Sequence, residues 1–305
     1  MSATARKSED TLTAIFKADA VLPAFIITGQ TGIAIRAGTK IDLGGPMRVY
    51  LEQTPIAIPV PLVAGADYGI RIDAEGTPSA VLIEDPELLF DCVGGFHFAP
   101  GGNAAARTGG DDVPAINPCS IWDIGFRPSC EDPRGMAHVS GVPGSEGVAP
   151  FWADIYLLGK GHSTLGTSCF GETIADGDNP PDGFETLDFA AAKAVMASHG
   201  KGLMSFVEFT AAAYGVTEKS ARGKDPKVSG IDAPRTSRVG LQQATGNLWT
   251  WGHDGDPDEP RASIFGGNWG YGSSAGSRYA RVDFWPGYSD GWLGARGRSD
   301  HLQLA

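Results

Sequence analysis

The sequence has little of several features that mark common protein classes. It contains no uninterrupted apolar run of about 18 residues, which a membrane-spanning helix requires, so we expect no membrane insertion. Its first ten residues, MSATARKSED, include no apolar stretch, so we expect no secretory signal. Basic residues number 24 against 36 acidic ones, which gives a formal net charge of -12. An acidic chain repels phosphate groups, which argues against a nucleic-acid partner.

Motifs of catalysis and metal binding are equally scarce. The chain has four cysteines, and none of them stands in a C-x-x-C pair, so a zinc or redox site is not supported. No H-E-x-x-H or phosphate-loop motif occurs. One G-x-S-x-G string, at 272–276, follows no apolar strand and opens no helix, unlike a nucleophile elbow. We therefore expect a protein that is not an enzyme and has no catalytic residue.

What the sequence does contain indicates a globular protein. Hydrophobic residues make up 42 % of the chain, and 43 glycines and 21 prolines favour short strands and loops. Short apolar runs cut by turn residues fill 12–89 and predict a small β-sandwich or barrel. Near residue 91 the short apolar runs give way to a loop-rich stretch. This change predicts a spacer domain over 1–90 and a second domain over 91–305. Asp188 and Ser205 each precede a helical run and are expected to cap it.

The last segment, 263–305, has the most unusual composition. Eight of its 43 residues are aromatic and nine are glycine, and no Lys, Glu, Gln or Met occurs from Ser263 to Gly297. Tyrosine and tryptophan with small polar residues are typical of recognition surfaces, because rigid rings give contact area at low entropic cost. The absence of a 2- or 3.6-residue period favours an irregular exposed surface. Trp269 and Trp285 are expected to be core residues.

Motifs in this segment resemble the variable region of proteins diversified by retroelements, and in particular the major tropism determinant family of phage receptor-binding tail-fibre proteins. The C-terminal motifs are Phe265-Gly266-Gly267-x-Trp269, Gly276-Ser277-Arg278, Gly294-Ala295-Arg296-Gly297 and Asp300-His301-Leu302. Similar motifs lie upstream, at 93–101, 122–128, 132–136, 151–159, 173–177 and 248–252.

The resemblance implies a fold, an assembly and a function. The expected fold class is α+β, with a C-type-lectin-like domain preceded by a small β-sandwich. The expected assembly is a homotrimer that displays variable surfaces to a host or cell-surface receptor, itself a protein. For a phage-encoded chain the resemblance implies a place on the virion tail fibre; otherwise the chain would be made in the cytoplasm without a signal peptide.

The resemblance also implies which positions vary. Adenine-directed mutation of AAC-type codons excludes Lys, Glu, Gln, Met and Trp, in agreement with the composition of 263–297. Trp292 falls outside that codon rule, and Tyr279 is added on chemistry alone. The predicted receptor-binding positions are Asn268, Gly270, Tyr271, Gly272, Ser274, Tyr279, Arg281, Asp283, Phe284, Tyr288, Asp290, Trp292 and Leu293. The glycine-rich motifs between them are expected to be scaffold.

Two alternative functions remain open from the residues. Gly246–Trp251 and Gly266–Trp269 also resemble formylglycine-generating enzymes, which share the lectin-like fold, but those enzymes need a C-terminal cysteine pair and this chain has no cysteine after Cys169. The loop 252–259 carries four carboxylates in eight residues, a composition that suits calcium. A calcium-dependent carbohydrate-binding lectin is therefore the other alternative. No other cofactor is expected.

Overall fold

The computed structural model describes residues 13–143, 145–256 and 258–303. The expectation about a secretory signal lies outside these residues. In chain order, the first strands are β1 (Thr13–Phe16), β2 (Phe25–Ile27), β3 (Ile33–Ile35), β4 (Thr39–Leu43), β5 (Arg48–Tyr50), β6 (Thr54–Pro55), β7 (Ala66–Ile72), β8 (Pro78–Leu82), β9 (Gly94–Ala99), β10 (Ala115–Ile116), β11 (Trp122–Asp123), β12 (Phe126–Pro128), β13 (Met136–Val139) and β14 (Phe151–Asp154).

Helices appear only in the second half of this described chain. The elements there are α1 (His162–Leu165), α2 (Phe189–Ser198), β15 (Gly202–Leu203), α3 (Phe206–Ala212), β16 (Trp249–His253), β17 (Ala262–Phe265), β18 (Ala280–Arg281), β19 (Leu293–Gly294) and β20 (Gly297–Gln303). Short 3-10 turns lie at Pro86–Asp91, Pro118–Ser120 and Ala233–Arg235. Runs of strands followed by helices, rather than a strict alternation, form the expected α+β arrangement.

Two three-stranded antiparallel sheets form the first part of the chain. Their strand orders are β1-β4-β5 and β2-β3-β6. Phe25, Ile35 and Ile41 are fully buried and belong to one apolar core shared by both sheets. This pair of small sheets around a common core is the sandwich that the alternating apolar runs predict.

The largest sheet crosses the predicted boundary at residue 90. Its order is β13-β14-β20-β12-β11-β9-β7-β8, so the β7–β8 hairpin pairs with β9 on the far side of that boundary. The sandwich core likewise includes Phe96 and Phe98 from β9. The division into 1–90 and 91–305 stays a prediction, and neither the sheet nor the core is interrupted there.

The two capped helices lie where the sequence predicts them. The Asp188 carboxylate accepts a hydrogen bond from the Ala191 N–H at the start of α2. Ser205 and Glu208 form a reciprocal capping box at the start of α3. These local signals define each helix start because the side-chain oxygens satisfy N–H groups that have no partner within the helix.

The chain end returns to the middle of the large sheet. β20 pairs with β12 on one side and with β14 on the other. The residues between β16 and β20 are therefore held at both ends by paired strands.

Candidate functional site

A four-stranded sheet of order β18-β17-β16-β19 supports the last segment. β16 and β17 pair antiparallel, and β19 joins β16 in parallel. Trp251 and Ile264 are buried in a core that also includes residues of α2. The sheet thus fixes the ends of two loops, 266–279 and 282–292, and these loops carry most of the predicted receptor-binding positions.

The first loop begins at two glycines whose backbone excludes other residues. Gly266 and Gly267 both have positive φ, of 90° and 77°. A Cβ on Gly267 would lie 2.8 Å from the Cα of Ala275, closer than any ordinary contact. Ser277 closes this loop, because it is fully buried and its N–H and hydroxyl both donate to the Glu218 carboxylate. These positions are scaffold, as expected.

Arg296 anchors the end of the second loop from the protein interior. Its guanidinium is almost fully buried and donates to the carbonyl oxygens of Asp154, Ile155 and Gln242 at 2.6–2.7 Å. Burial lowers the pKa of this guanidinium to about 10. The group remains charged at neutral pH, and its hydrogen bonds hold 293–297 against two other segments of the chain.

Most predicted receptor-binding positions lie on the surface of these loops. Six are exposed, namely Gly270, Gly272, Ser274, Arg281, Asp283 and Trp292. Five are half-buried, namely Tyr271, Tyr279, Phe284, Tyr288 and Asp290. Ten of these eleven positions lie on the two loops and Arg281 lies in β18, so eleven of the thirteen reach a surface that solvent contacts.

Asn268 and Leu293 depart from the expected exposed placement. Each has only 2 % of its surface exposed. The Asn268 amide oxygen accepts the Gly270 N–H at 2.9 Å, so the side chain shapes the turn. Leu293 lies in β19 opposite Trp249 and packs in the core. Their direct part in ligand binding stays a prediction that this placement does not support.

Four half-buried rings have both a packed and an accessible side. Tyr271, Tyr279, Phe284 and Tyr288 all pack against the core beneath the sheet. The Phe284 ring lies 5.9 Å from Trp251 and 5.5 Å from Tyr288, measured between centroids. Removing such a ring would affect both the surface and the core, because aromatic rings bury large areas.

Trp285 is exposed, and the expectation that it belongs to the core is wrong. Phe284 takes the inward position, since its N–H donates to the carbonyl of Ala262 and its ring meets Trp251. Trp285 then faces outward, with 68 % of its surface exposed. The following Pro286-Gly287 turn was the only sequence signal for an exposed position. Trp269, by contrast, is partly buried against Leu248 and its neighbours, as expected.

The surface formed by the loops 266–279 and 282–292, with β18 between them, is called the loop face. On it, an arginine lies against two aromatic rings. The Arg281 guanidinium carbon is 5.5 Å from the Trp249 ring centroid and 5.6 Å from that of Tyr271. Its Nη2 donates to the Tyr271 hydroxyl at 2.8 Å. Beside it, the Tyr288 hydroxyl donates to Asp290 at 3.1 Å. Desolvation raises the pKa of Tyr288, and the hydrogen bond to the Asp290 carboxylate raises it further.

The acidic loop uses its carboxylates to hold its own backbone. Asp254 accepts the N–H groups of Asp256 and Arg261, and Asp256 accepts those of Asp258 and Glu259. The hydrogen bond from Arg261 lowers the pKa of Asp254. Over residues 13–143, 145–256 and 258–303, no group of three His, Cys, Asp or Glu side chains is arranged to hold a metal ion. Calcium binding here remains an untested expectation.

The part of the chain with described coordinates has no helix that is both long and apolar enough to cross a membrane. All four cysteines lie within that part, and all are free thiols. Burial raises the pKa of Cys119 to about 11, so this thiol stays protonated at neutral pH. None of these features adds chemistry to the loop face.

The fold and the loop face define a C-type-lectin-like protein that presents an aromatic surface on a glycine-braced scaffold. Residues 23–123 match the protein family described as "Mtd second domain". The tail fiber receptor-binding protein of Bordetella phage BPP-1 is 38 % identical over an alignment of 335 positions, which covers 96 % of this chain and 86 % of that protein. This chain therefore belongs to the major tropism determinant family.

Solved structures of that family are similar over nearly the whole chain. The Major Tropism Determinant U1 variant gives a TM-score of 0.85 at 38 % identity, covering 95 % of this chain and 86 % of that one. The M1 variant gives the same TM-score at 37 % identity, with 96 % and 87 % covered. The expected α+β fold, with a C-type-lectin-like domain, is confirmed by these similarities.

Proposed function

We propose that this chain is a receptor-binding protein of a phage tail fibre, and that it binds a host surface protein through the loops 266–279 and 282–292. The observation that carries the proposal is the placement of eleven predicted receptor-binding positions at the surface, ten of them on two loops braced by buried residues and Arg281 in the adjoining β18. The names of its relatives support a receptor-binding role and a location on the tail fibre.

The exposed positions on these loops are proposed to be the ones that a retroelement varies. The scaffold tolerates replacement there because Gly266, Gly267, Ser277 and Arg296 hold the loops from inside. The test is genomic. A near-repeat of the DNA for 263–305, differing only at adenines and lying beside a reverse-transcriptase gene, is expected.

A homotrimer is proposed as the functional assembly. Large apolar side chains are exposed at several positions in the sandwich, including Val49, Leu51 at 81 % and Val60 at 89 %. Exposed apolar residues concentrated in one region favour association, since burying them removes apolar surface from water. Three copies of the loop face would bind a cell surface with avidity well above that of one copy.

Direct binding to cells tests the proposal. Purified protein labelled with a fluorophore is mixed with the bacterial host of the phage, and bound protein is measured by flow cytometry. Trp292→Ala should reduce binding, whereas Phe90→Ala, at another exposed ring far from the loops in sequence, should not. Protease treatment of the cells should abolish binding, while loss on glycan oxidation or with a calcium chelator would support the lectin alternative instead.

The catalytic alternative has a separate test. Formylglycine-generating chemistry would require a cysteine-held copper ion, and the C-terminal part of the sequence after Cys169 contains no cysteine. We expect no thiol-dependent oxygen consumption when copper is added. Measurable oxygen uptake at stoichiometric copper would contradict a purely binding role.

A further inference from the structure

The loop face contains an aromatic corner with a cationic occupant. The Trp249 and Tyr271 rings meet almost at right angles, at 84°, with centroids 5.4 Å apart. Arg281 fills the corner, because its guanidinium lies within 6 Å of both ring centroids and donates to the Tyr271 hydroxyl. Two perpendicular rings around one cation form the geometry by which aromatic side chains bind ammonium and guanidinium groups.

A carboxylate lies beside this corner. The Tyr288 hydroxyl donates to the Asp290 carboxylate at 3.1 Å, and Tyr288 packs against the same core as Tyr271. The corner therefore combines ring faces, phenol oxygens and a carboxylate, all of which attract a cation. Trp249 is only 5 % exposed and Tyr271 is half-buried, whereas Arg281 is exposed, so displacement of Arg281 would open the corner to a group from outside.

We propose that the corner formed by Trp249 and Tyr271, with Tyr288 and Asp290 beside it, is a binding subsite for a guanidinium or ammonium group of the partner, and that Arg281 occupies it in the free protein. The partner supplies an arginine or lysine side chain, which displaces Arg281. This inference deepens the proposed receptor-binding function and rests on it for its biological use, although the subsite itself can be tested alone.

The charge of the protein supports a cationic partner. The formal net charge of -12 favours the approach of positively charged groups to the surface as a whole. Self-occupancy then sets the apparent affinity. A site that its own arginine fills for about 90 % of the time binds an outside cation about tenfold more weakly than an empty site does. Replacing Arg281 should therefore expose a capacity that the unmodified protein conceals.

The test uses the full chain and a defined ligand. N-acetyl-L-arginine amide is titrated against the unmodified protein, Arg281→Ala and the control Arg278→Ala, which removes an exposed arginine of the same segment. Tryptophan fluorescence reports binding. We expect the Arg281→Ala variant to bind about tenfold more tightly than the unmodified protein and the Arg278→Ala variant to match the unmodified protein. Adding Tyr271→Ala to Arg281→Ala should remove the gain, with thermal unfolding confirming that each variant is folded.

Two further outcomes separate the interpretations. N-acetyl-L-citrulline amide, which is nearly isosteric but neutral, should bind no variant measurably; equal binding of the neutral compound would overturn the cation subsite. Equal affinities of the unmodified protein and the Arg281→Ala variant for the arginine compound would overturn it too. Cell binding by the unmodified protein is scored independently, so the subsite can fail while the proposed receptor-binding function stands.

Discussion

At the scale of single residues, the side chains of the loops 266–279 and 282–292 differ in whether they pack against the core or project into solvent. Neighbours in sequence fall on opposite sides of this division. Phe284 packs against Trp251 and is half-buried, whereas Trp285 is 68 % exposed. The composition of 263–305 predicts an aromatic face but not which ring of a pair faces water. That choice depends on Ala262, a residue on another strand, whose carbonyl accepts the Phe284 N–H.

Replacing these two neighbours by alanine should therefore have different effects. Trp285→Ala should leave the free energy of unfolding within about 0.5 kcal/mol of the unmodified value, because little of the ring is buried, yet weaken cell binding. Phe284→Ala should weaken both, at a cost in stability of about 2 kcal/mol for a half-buried ring. Urea unfolding and flow cytometry measure the two effects. Equal loss of stability in both variants would contradict the orientation described for Trp285.

Arg296 gives a second prediction at this scale. Arg296→Ala leaves three backbone carbonyls without their donor and opens a cavity, so the free energy of unfolding should fall by about 3 kcal/mol or more. Arg278→Ala, which removes an exposed arginine of the same segment, should change it by less than about 0.5 kcal/mol. Chemical denaturation measures the free energy of unfolding of both variants. Equal values for the two would show that the buried hydrogen bonds of Arg296 contribute little.

A half-buried histidine makes stability depend on pH. His138 packs against Phe126, Trp152 and His301, and burial lowers its pKa to about 3 from an ordinary value near 6.5. The unfolded chain takes up this proton first as the pH falls. Stability is therefore full above about pH 6.5 and declines as the pH falls from 6.5 toward 3. His138→Gln should flatten this decline in urea unfolding measured across that range, and an unchanged pH profile would refute the assignment.

At the scale of elements, local signals were sufficient for the helices and insufficient for the sheets. The starts of α2 and α3 could be predicted because Asp188 and Ser205 act on N–H groups within three residues of themselves. The pairing of β7 with β9 joins residues on either side of the domain boundary that the sequence composition predicted near residue 90. A strand partner is chosen by packing over long distances along the chain, so composition alone suggested a boundary where the sheet continues.

The cap of α2 also supports the loop face. The first N–H of this helix, from Phe189, donates to the carbonyl of Pro286, and the Leu187 N–H donates to the Ser289 hydroxyl. Asp188→Ala should cost about 1 kcal/mol of stability through loss of the cap. Glu185→Ala, an exposed acid three residues earlier, is the matched control and should be neutral. Hydrogen exchange should rise in 284–290 for the first variant only, and unaltered exchange there would show that the helix and loop are not coupled.

At the scale of the whole molecule, the two ends of the chain present different kinds of surface. The loop face combines aromatic rings with charged and small residues, which suits reversible recognition. The sandwich exposes aliphatic side chains such as Leu51 and Val60. Burial of those side chains between copies would place association on the sandwich and leave the recognition loops free.

A double substitution tests whether association uses the sandwich while recognition uses the loops. Val49→Asp with Leu51→Asp should prevent association, because burying two new carboxylates costs more than the apolar contact contributes. Sedimentation should then give the monomer mass of 31.8 kDa in place of three times that value. Phe90→Asp, at a ring that is 89 % exposed outside this region, should leave the proposed trimer intact. The dissociated protein should keep its affinity for a single soluble receptor yet lose at least about 100-fold in apparent affinity for cells, since avidity requires linked copies. A monomeric mass for the unmodified protein, or undiminished cell binding after dissociation, would remove the basis for multivalent attachment.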